Sequence, residues 1–281
     1  MKISEINIYP VKSLKKISLD RAVVEDRGLE NDRRYMLVDE NNELVTQREI
    51  AALSMVSTRY HENLLEVSLG SENWLSIAEH FDEGKKVEVR VWNSQCEAFL
   101  AEENVSDWFS DAFKTKLRLV QMPVSTKRGI NKLFNNGDDV VSFADGYPML
   151  IVGENSLRDL NSKLETEIPM DRFRPNLVFS GSDGFIEDKW TKIRVGETVF
   201  RVTKPCARCV VTTINQETGV SDDKEPLKTL SKYRKSSDIY PDNFADFGLG
   251  KNDVLFGQNL VAENFGREIK VGDGIEVIES N

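Results

Sequence analysis

The sequence is poor in the residues that metal clusters and disulfide frameworks are built from, with two histidines and three cysteines in 281 residues. An odd thiol total (Cys96, Cys206 and Cys209) leaves at least one cysteine free and argues against a disulfide-stapled secreted fold. A four-ligand zinc site is disfavoured, because Cys96, His61 and His80 all lie far upstream of the close pair Cys206 and Cys209. No apolar run approaches the roughly eighteen residues of a membrane-spanning helix, and Met1-Lys2-Ile3 leads straight into alternating sequence without a signal-like apolar stretch. Basic charge is in deficit: 37 Lys and Arg face 47 Asp and Glu, a formal net charge of -10, so the overall field repels polyanions. Nucleic acid and membrane are therefore not expected partners, and a cytoplasmic location is expected. A hydrophobic content of 40% with 30% charged residues belongs to a compact globular chain, not a disordered one.

What is present reads mainly as strands. Alternating or β-branched patterns occupy residues 2–9, 34–38, 64–69, 86–91 and 116–121, with a turn at Asn41-Asn42 between two of the apolar runs. Residues 104–113 instead place Val105, Trp108, Phe109 and Ala112 on one helical face. Residues 128–139 are rich in Asn, Gly and charge without periodicity, and are expected to form a mobile loop joining two halves. Beyond it, residues 140–143, 149–152, 177–179, 193–195, 199–202 and 210–214 read as strands. Residues 154–164 read as a helix capped by Asn155 or Ser156, and residues 226–234 as a short helix opened by Pro226. Residues 260–263 and 269–278 are strand-like, separated by glycines. Many short strands without a βαβ rhythm favour a barrel-like β architecture, mainly β with some α, over a parallel α/β sheet.

Several short strings have chemical potential, although each alone is more often structural. Cys206-Ala207-Arg208-Cys209 could be half a zinc site, a redox dithiol or the setting for one metal-binding thiolate. A dithiol normally opens a helix, whereas the Val-Val-Thr-Thr-Ile after Cys209 reads as a strand. Arg208 favours a thiolate beside it, and Cys206, next to Pro205, suits a buried supporting place. Tyr9-Pro10-Val11-Lys12-Ser13 presents a lysine and a hydroxyl at a strand end, a common way to hold phosphate. Arg33, after the glycine turn at Gly28, could grip an anion bidentately or simply pair with Asp32. Asp145-Gly146-Tyr147-Pro148 is a tight turn, and Phe173-Arg174-Pro175-Asn176 sets a cation and an amide at a strand mouth.

In order along the chain, these strings resemble the MOSC family, in its branch with an N-terminal β-barrel-like domain that includes amidoxime-reducing and YcbX-like proteins. The resembling stretches are YPVKS at 9–13, GLENDRRYMLVD at 28–39, FADGYP at 143–148, SLRDLNSKL at 156–164, FRPNLVFSG at 173–181, KPCARCVVTTIN at 204–215, KEPLKTLSKYR at 224–234 and LFGQNLVAEN at 255–264. The resemblance implies an N-terminal β-barrel-like domain over residues 1–125 packed on a MOSC β-barrel domain over 126–281, with N-terminal strands contributing to the cofactor site. It implies a molybdenum cofactor, molybdopterin with or without an added nucleotide, whose metal Cys209 ligates as the catalytic residue. By the same resemblance Lys12, Ser13 and Arg33 contact the phosphate end and pterin, and Asp145, Arg174, Asn176 and Arg208 line the rest. The implied reaction reduces small N-hydroxylated compounds.

One departure is that YcbX-like members often continue into a ferredoxin-like domain, whereas this sequence has no cysteine after Cys209. Electrons are therefore expected from a separate reductase, ferredoxin or heme protein. Two other functions remain open from the sequence: a sulfur carrier or sulfurtransferase using a cysteine persulfide, and a cofactor-binding protein without catalysis.

Overall fold

The computed structural model describes residues 1–70, 73–78, 84–221 and 224–280, so His80 lies outside the described residues. Strands dominate, arranged as curled half-barrel sheets with helices between them. The largest sheet has eight strands, in the order Ile275–Ser280, Trp190–Val195, Thr198–Ala207, Leu255–Ala262, Met149–Gly153, Leu177–Ser180, Lys2–Ile8 and Ile17–Leu19. Its middle is apolar on both faces: all five residues of Met149–Gly153 are buried, as a fully covered central strand requires. The first strand of the chain thus pairs with Leu177–Ser180, deep in the later sequence. A second sheet orders Tyr35–Val38, Arg118–Gln121, Ser94–Leu100 and Lys86–Val91. Two three-stranded sheets complete the strands, one of which pairs Arg267–Lys270 with Arg21–Glu25 and so again joins the two ends of the chain.

One core forms under the eight-stranded sheet around Ile3, Ile6, Phe179, Trp190 and Phe200. A separate core gathers Val11, Leu37, Leu65, Phe109 and Leu119 under the N-terminal strands, sealed by the helix Glu103–Phe113, whose Val105 and Phe109 are buried as their spacing predicts.

Four expectations are corrected. Residues 210–214 do not form a strand; Val210–Thr213 is a single 3-10 turn. The Thr212 and Thr213 hydroxyls donate back to the carbonyls of Cys209 and Val210 at 2.9 and 2.8 Å, a local alternative that outcompetes a ladder. Residues 140–143 contribute only an isolated bridge, Gly129 to Val140. Arg128 explains this: its guanidinium takes the carbonyls of Ser142, Ala144 and Asp145 at 2.7, 2.7 and 2.8 Å, which a strand would spend on a neighbour. The helix Glu154–Asn161 starts from Gly153 with no side-chain cap, because Ser156 Oγ is instead engaged by Glu187 and Phe185. Finally, a βαβ unit does exist, since Met149–Gly153 and Leu177–Ser180 run parallel around that helix.

Backbone shape in the sheet depends on one glycine above others. Gly257 sits at φ +80° inside Leu255–Ala262, and a Cβ there would stand 2.7 Å from Val152 Cγ2 and 2.9 Å from Ile151 O. Only glycine lets Leu255–Ala262 and Met149–Gly153 approach this closely.

Candidate functional site

Three turns are bent into left-handed backbone beside one cavity. The first strand cannot continue through Pro10, and the chain turns at Ser13 with φ 73°. Arg33 follows the turn after Gly28 and has φ 50°. The 3-10 helix Met170–Phe173 ends at Arg174, φ 55°, because Pro175 disfavours right-handed helix in the residue before it. Non-glycine residues in this region are costly, about 1–3 kcal/mol each, and they gather where function over-determines the backbone.

The cavity they surround has a volume of about 150 Å³ and opens to solvent. Its lining includes every residue that the family resemblance assigned to the cofactor: Lys12, Ser13, Arg33, Asp145, Arg174, Asn176, Arg208 and Cys209. Cys206 joins them, half-buried, and not fully buried as a supporting role had suggested. Five cations line the space (Lys12, Arg33, Arg48, Arg174 and Arg208) against a single lining carboxylate, Asp145. In a chain of net charge -10 this is a local reversal of sign.

Each cation is held differently. Lys12 Nζ pairs with Asp145 Oδ1 at 2.5 Å, and the Trp92 indole donates to the same oxygen at 3.1 Å. Arg33 Nη1 donates to Asp32 Oδ2 at 2.6 Å and Asn176 Oδ1 at 3.0 Å, with Asp32 fully buried. The buried Tyr9 ring backs both Arg33 and Arg174, whose guanidinium carbons lie 4.3 and 4.2 Å from its centroid. Arg208 donates to Cys206 Sγ at 2.9 Å and to Phe173 O at 2.6 Å. Asn176 is spent inside the wall: it accepts from Arg33 and Leu150 N and donates to Asn7 O, so it orients Arg33.

Charge in this space is strained. Burial pulls the Arg174 guanidinium down to about 10, with like-charged Arg33 adding to the shift. Burial also lowers the Lys12 ammonium, which Asp145 only partly restores. Burial opposes Arg33 too, but Asp32, Tyr9 and Asp145 together outweigh it and raise that guanidinium. At Asp145, crowding alone would raise the carboxyl; Lys12, Trp92 and Arg33 overrule it and hold it well below the usual carboxylate range. Its side chain remains 72% exposed, so water screens this pair and it adds little to stability.

Cys209 ends the approach from Thr198–Ala207, with extended backbone (φ -120°, ψ 178°) leading into the 3-10 turn. A helical turn, not a strand, therefore follows this cysteine, and the strand-based argument against a dithiol falls. A four-residue turn carries too few aligned dipoles to replace that argument with a helix effect. Among the described residues Cys209 Sγ has no hydrogen-bond partner, and no group of three or more His, Cys, Asp and Glu stands close enough to hold a metal by itself. The buried Nε of Arg208 also lacks a hydrogen-bond acceptor. A free thiol, an orphaned guanidinium donor and an excess of cations, four of the five buried or half-buried, fit a polyanionic organic group that brings most of the metal ligands with it.

Sequence reading missed Gln47, Arg48 and Trp92, which complete the wall. Arg48 packs over the Trp92 ring at 4.4 Å, and Trp92 adopts φ 54°. The Thr46-x-x-Glu49 capping pattern was the available signal for a tight turn there.

Comparison with known proteins matches the chain in two consecutive stretches. Residues 1–116 match the model of the MOSC N-terminal beta barrel domain, and residues 138–276 match that of the MOSC domain. The mitochondrial amidoxime reducing component 2 of Bos taurus is 32% identical over 282 residues, covering 97% of this chain and 82% of the relative. The mitochondrial amidoxime-reducing component 1 of Homo sapiens is 32% identical over 286 residues, covering 98% and 82%. A molybdenum cofactor sulfurase of Oryza sativa subsp. japonica is 30% identical over 283 residues, covering 92% of this chain and 34% of that protein. With both domains matched in order and relatives 32% identical and covered to 82% of their length, the chain belongs to the MOSC family, in the branch with an N-terminal MOSC β-barrel domain.

Proposed function

We propose that the cavity holds a molybdenum cofactor of the molybdopterin type and that the protein reduces small N-hydroxylated compounds with electrons from a separate donor protein. The observation that carries this reading is the meeting of a free Cys209 thiol with five cations in one half-enclosed space. When bound, the cofactor supplies the two-electron redox chemistry. The chain's part is to hold and shield it. Lys12, Ser13 and Arg33 receive the phosphate end, and Arg174 and Arg208 receive the remaining negative charge. The soft Cys209 thiolate is the protein's metal ligand. Asp145 keeps Lys12 charged, and Asn176 keeps Arg33 aimed. Because these donors are already ordered and partly dry, their pull on an anion is stronger than it would be in water.

Similarity to a molybdenum cofactor sulfurase favours a second reading, in which Cys209 carries a persulfide. One experiment separates the two: molybdenum analysis and benzamidoxime reduction with an artificial donor, on wild type and Cys209→Ala from a molybdate-fed host. Mutating outer residues that merely orient metal ligands costs about 10–100-fold, so loss of the ligand itself is expected to cost at least that much activity. A variant keeping both metal and activity refutes the assignment. A stable extra sulfur on Cys209 of metal-free protein, seen by mass spectrometry, supports the persulfide reading instead.

A further inference from the structure

Beneath the cations, two buried glutamines face each other across 169 residues of sequence. Gln47 belongs to a turn closed by Thr46 and Glu49: Thr46 N and Oγ1 both donate to Glu49 Oε2, at 2.8 and 2.7 Å. That turn sends Gln47 inward, 1% exposed, and leaves Arg48 at the mouth. Gln216 belongs to an Asx-turn in which Asn215 Oδ1 accepts from Glu217 N and Thr218 N at 2.9 and 3.3 Å. Gly219 completes the loop at φ +67°, so close to the helix Ala51–Met55 that a Cβ would stand 2.9 Å from Ala52 Cα. Loop and turn are thus pressed together, and their amides meet between them.

The two amides bond reciprocally, Gln47 Nε2 to Gln216 Oε1 and Gln216 Nε2 to Gln47 Oε1, both at 3.1 Å. Their other contacts reach the site. Gln47 Nε2 also donates to Ser13 O at 2.6 Å, and Gln47 N donates to Ser13 Oγ at 3.3 Å. Gln216 Nε2 also donates to Ile214 O at 3.1 Å, and Gln216 Oε1 accepts from Arg174 Nη1 at 3.4 Å. Ser13 and Arg174 are two of the residues held in left-handed backbone.

We propose that Gln47 and Gln216 form a clasp that positions the anion site: by bonding each other, Ser13 and Arg174, they tie the N-terminal turn to the MOSC loop. The clasp holds Ser13, through its carbonyl, in a backbone conformation it would not keep alone, and it steadies the Arg174 guanidinium. It touches no reacting atom, so both glutamines are positioning residues. This inference rests on the anion-binding reading above and names what keeps that site in register.

Near-isosteric Gln47→Met, Gln216→Met and the double variant test the clasp. Three quantities are measured: the thermal unfolding midpoint, molybdenum per chain after exhaustive dialysis of protein from a molybdate-fed host, and inorganic phosphate affinity of cofactor-free protein by equilibrium dialysis. Each single variant leaves the opposite amide without its reciprocal partner, so each lowers the midpoint; the double variant leaves no amide half-paired and recovers part of that loss. Anion binding does not recover. Phosphate affinity in the double variant falls by about tenfold, the scale of one hydrogen bond to a charged group, and molybdenum retention falls with it. Stability partly restored while binding stays weak is a pattern that a purely structural pair does not produce. A double variant with wild-type phosphate affinity and molybdenum content overturns the proposal, as do additive losses of binding from the two single variants. If wild type binds phosphate but no molybdenum, the cofactor reading fails and the phosphate arm still decides the clasp. If wild type binds neither, both fall.

Discussion

Lys12 and Asp145 are a perturbed pair at the site, one pushed down by burial and the other held down by the cations around it. The Lys12 ammonium titrates below its ordinary 10.5 in the folded chain, so between those two values the unfolded chain holds more protons. Its contribution to stability therefore rises with pH across that window. Anion binding runs the other way, because phosphate affinity declines as Lys12 loses its charge. Asp145→Asn removes the partner that keeps Lys12 protonated and is expected to move this decline to lower pH, as phosphate titrations from pH 7 to pH 10 would read, the range being about three units below and up to the reference lysine value. A profile unchanged from wild type would show that Asp145 does not support Lys12. Among single residues, Lys12, Ser13, Arg33, Arg174 and Cys209 were legible from the sequence because each belongs to a short family-like string. Gln47 and Gln216 were not: a glutamine reads as surface until tertiary structure shows it buried, here 1% and 5% exposed.

At the scale of elements, period-two patterns predicted most strands, since a half-buried strand writes its two faces into alternate residues. The failures share one cause. At 210–213 and 140–144 side chains claim backbone groups that a ladder would need, through the threonine hydroxyls in one case and Arg128 in the other. Composition does not show which carbonyl a distant arginine will take. The central strand Leu255–Ala262 makes a sharper demand. Gly257→Ala meets both a left-handed backbone and contact with Val152 and Ile151. It is expected to destabilise the fold by on the order of 3 kcal/mol, a loss visible as a lower urea midpoint with an unchanged slope. Wild-type stability in that variant would mean that the strands separate more easily than their packing suggests.

Across the whole molecule, the two ends of the chain share sheets. Lys2–Ile8 covers the edge of Leu177–Ser180, whose Leu177, Val178 and Phe179 are fully buried, and Arg21–Glu25 pairs with Arg267–Lys270. A fragment of residues 126–281 would expose that apolar edge. It is expected to be insoluble or unfolded by circular dichroism, and to recover native spectra only when residues 1–125 are supplied with it. A fragment that folds alone would show that the shared strands are dispensable. By itself the sequence determined the mainly β character, the order of the two matched domains and the chemical type of most site residues, because these depend on local pattern and short motifs. Tertiary structure alone decided which strands are neighbours, where the cations converge and what holds them there. Those outcomes depend on contacts between residues far apart in the chain, such as Gln47 with Gln216 and Lys12 with Asp145. No local pattern encodes such pairings, since closing the chain onto itself is what brings the partners within reach.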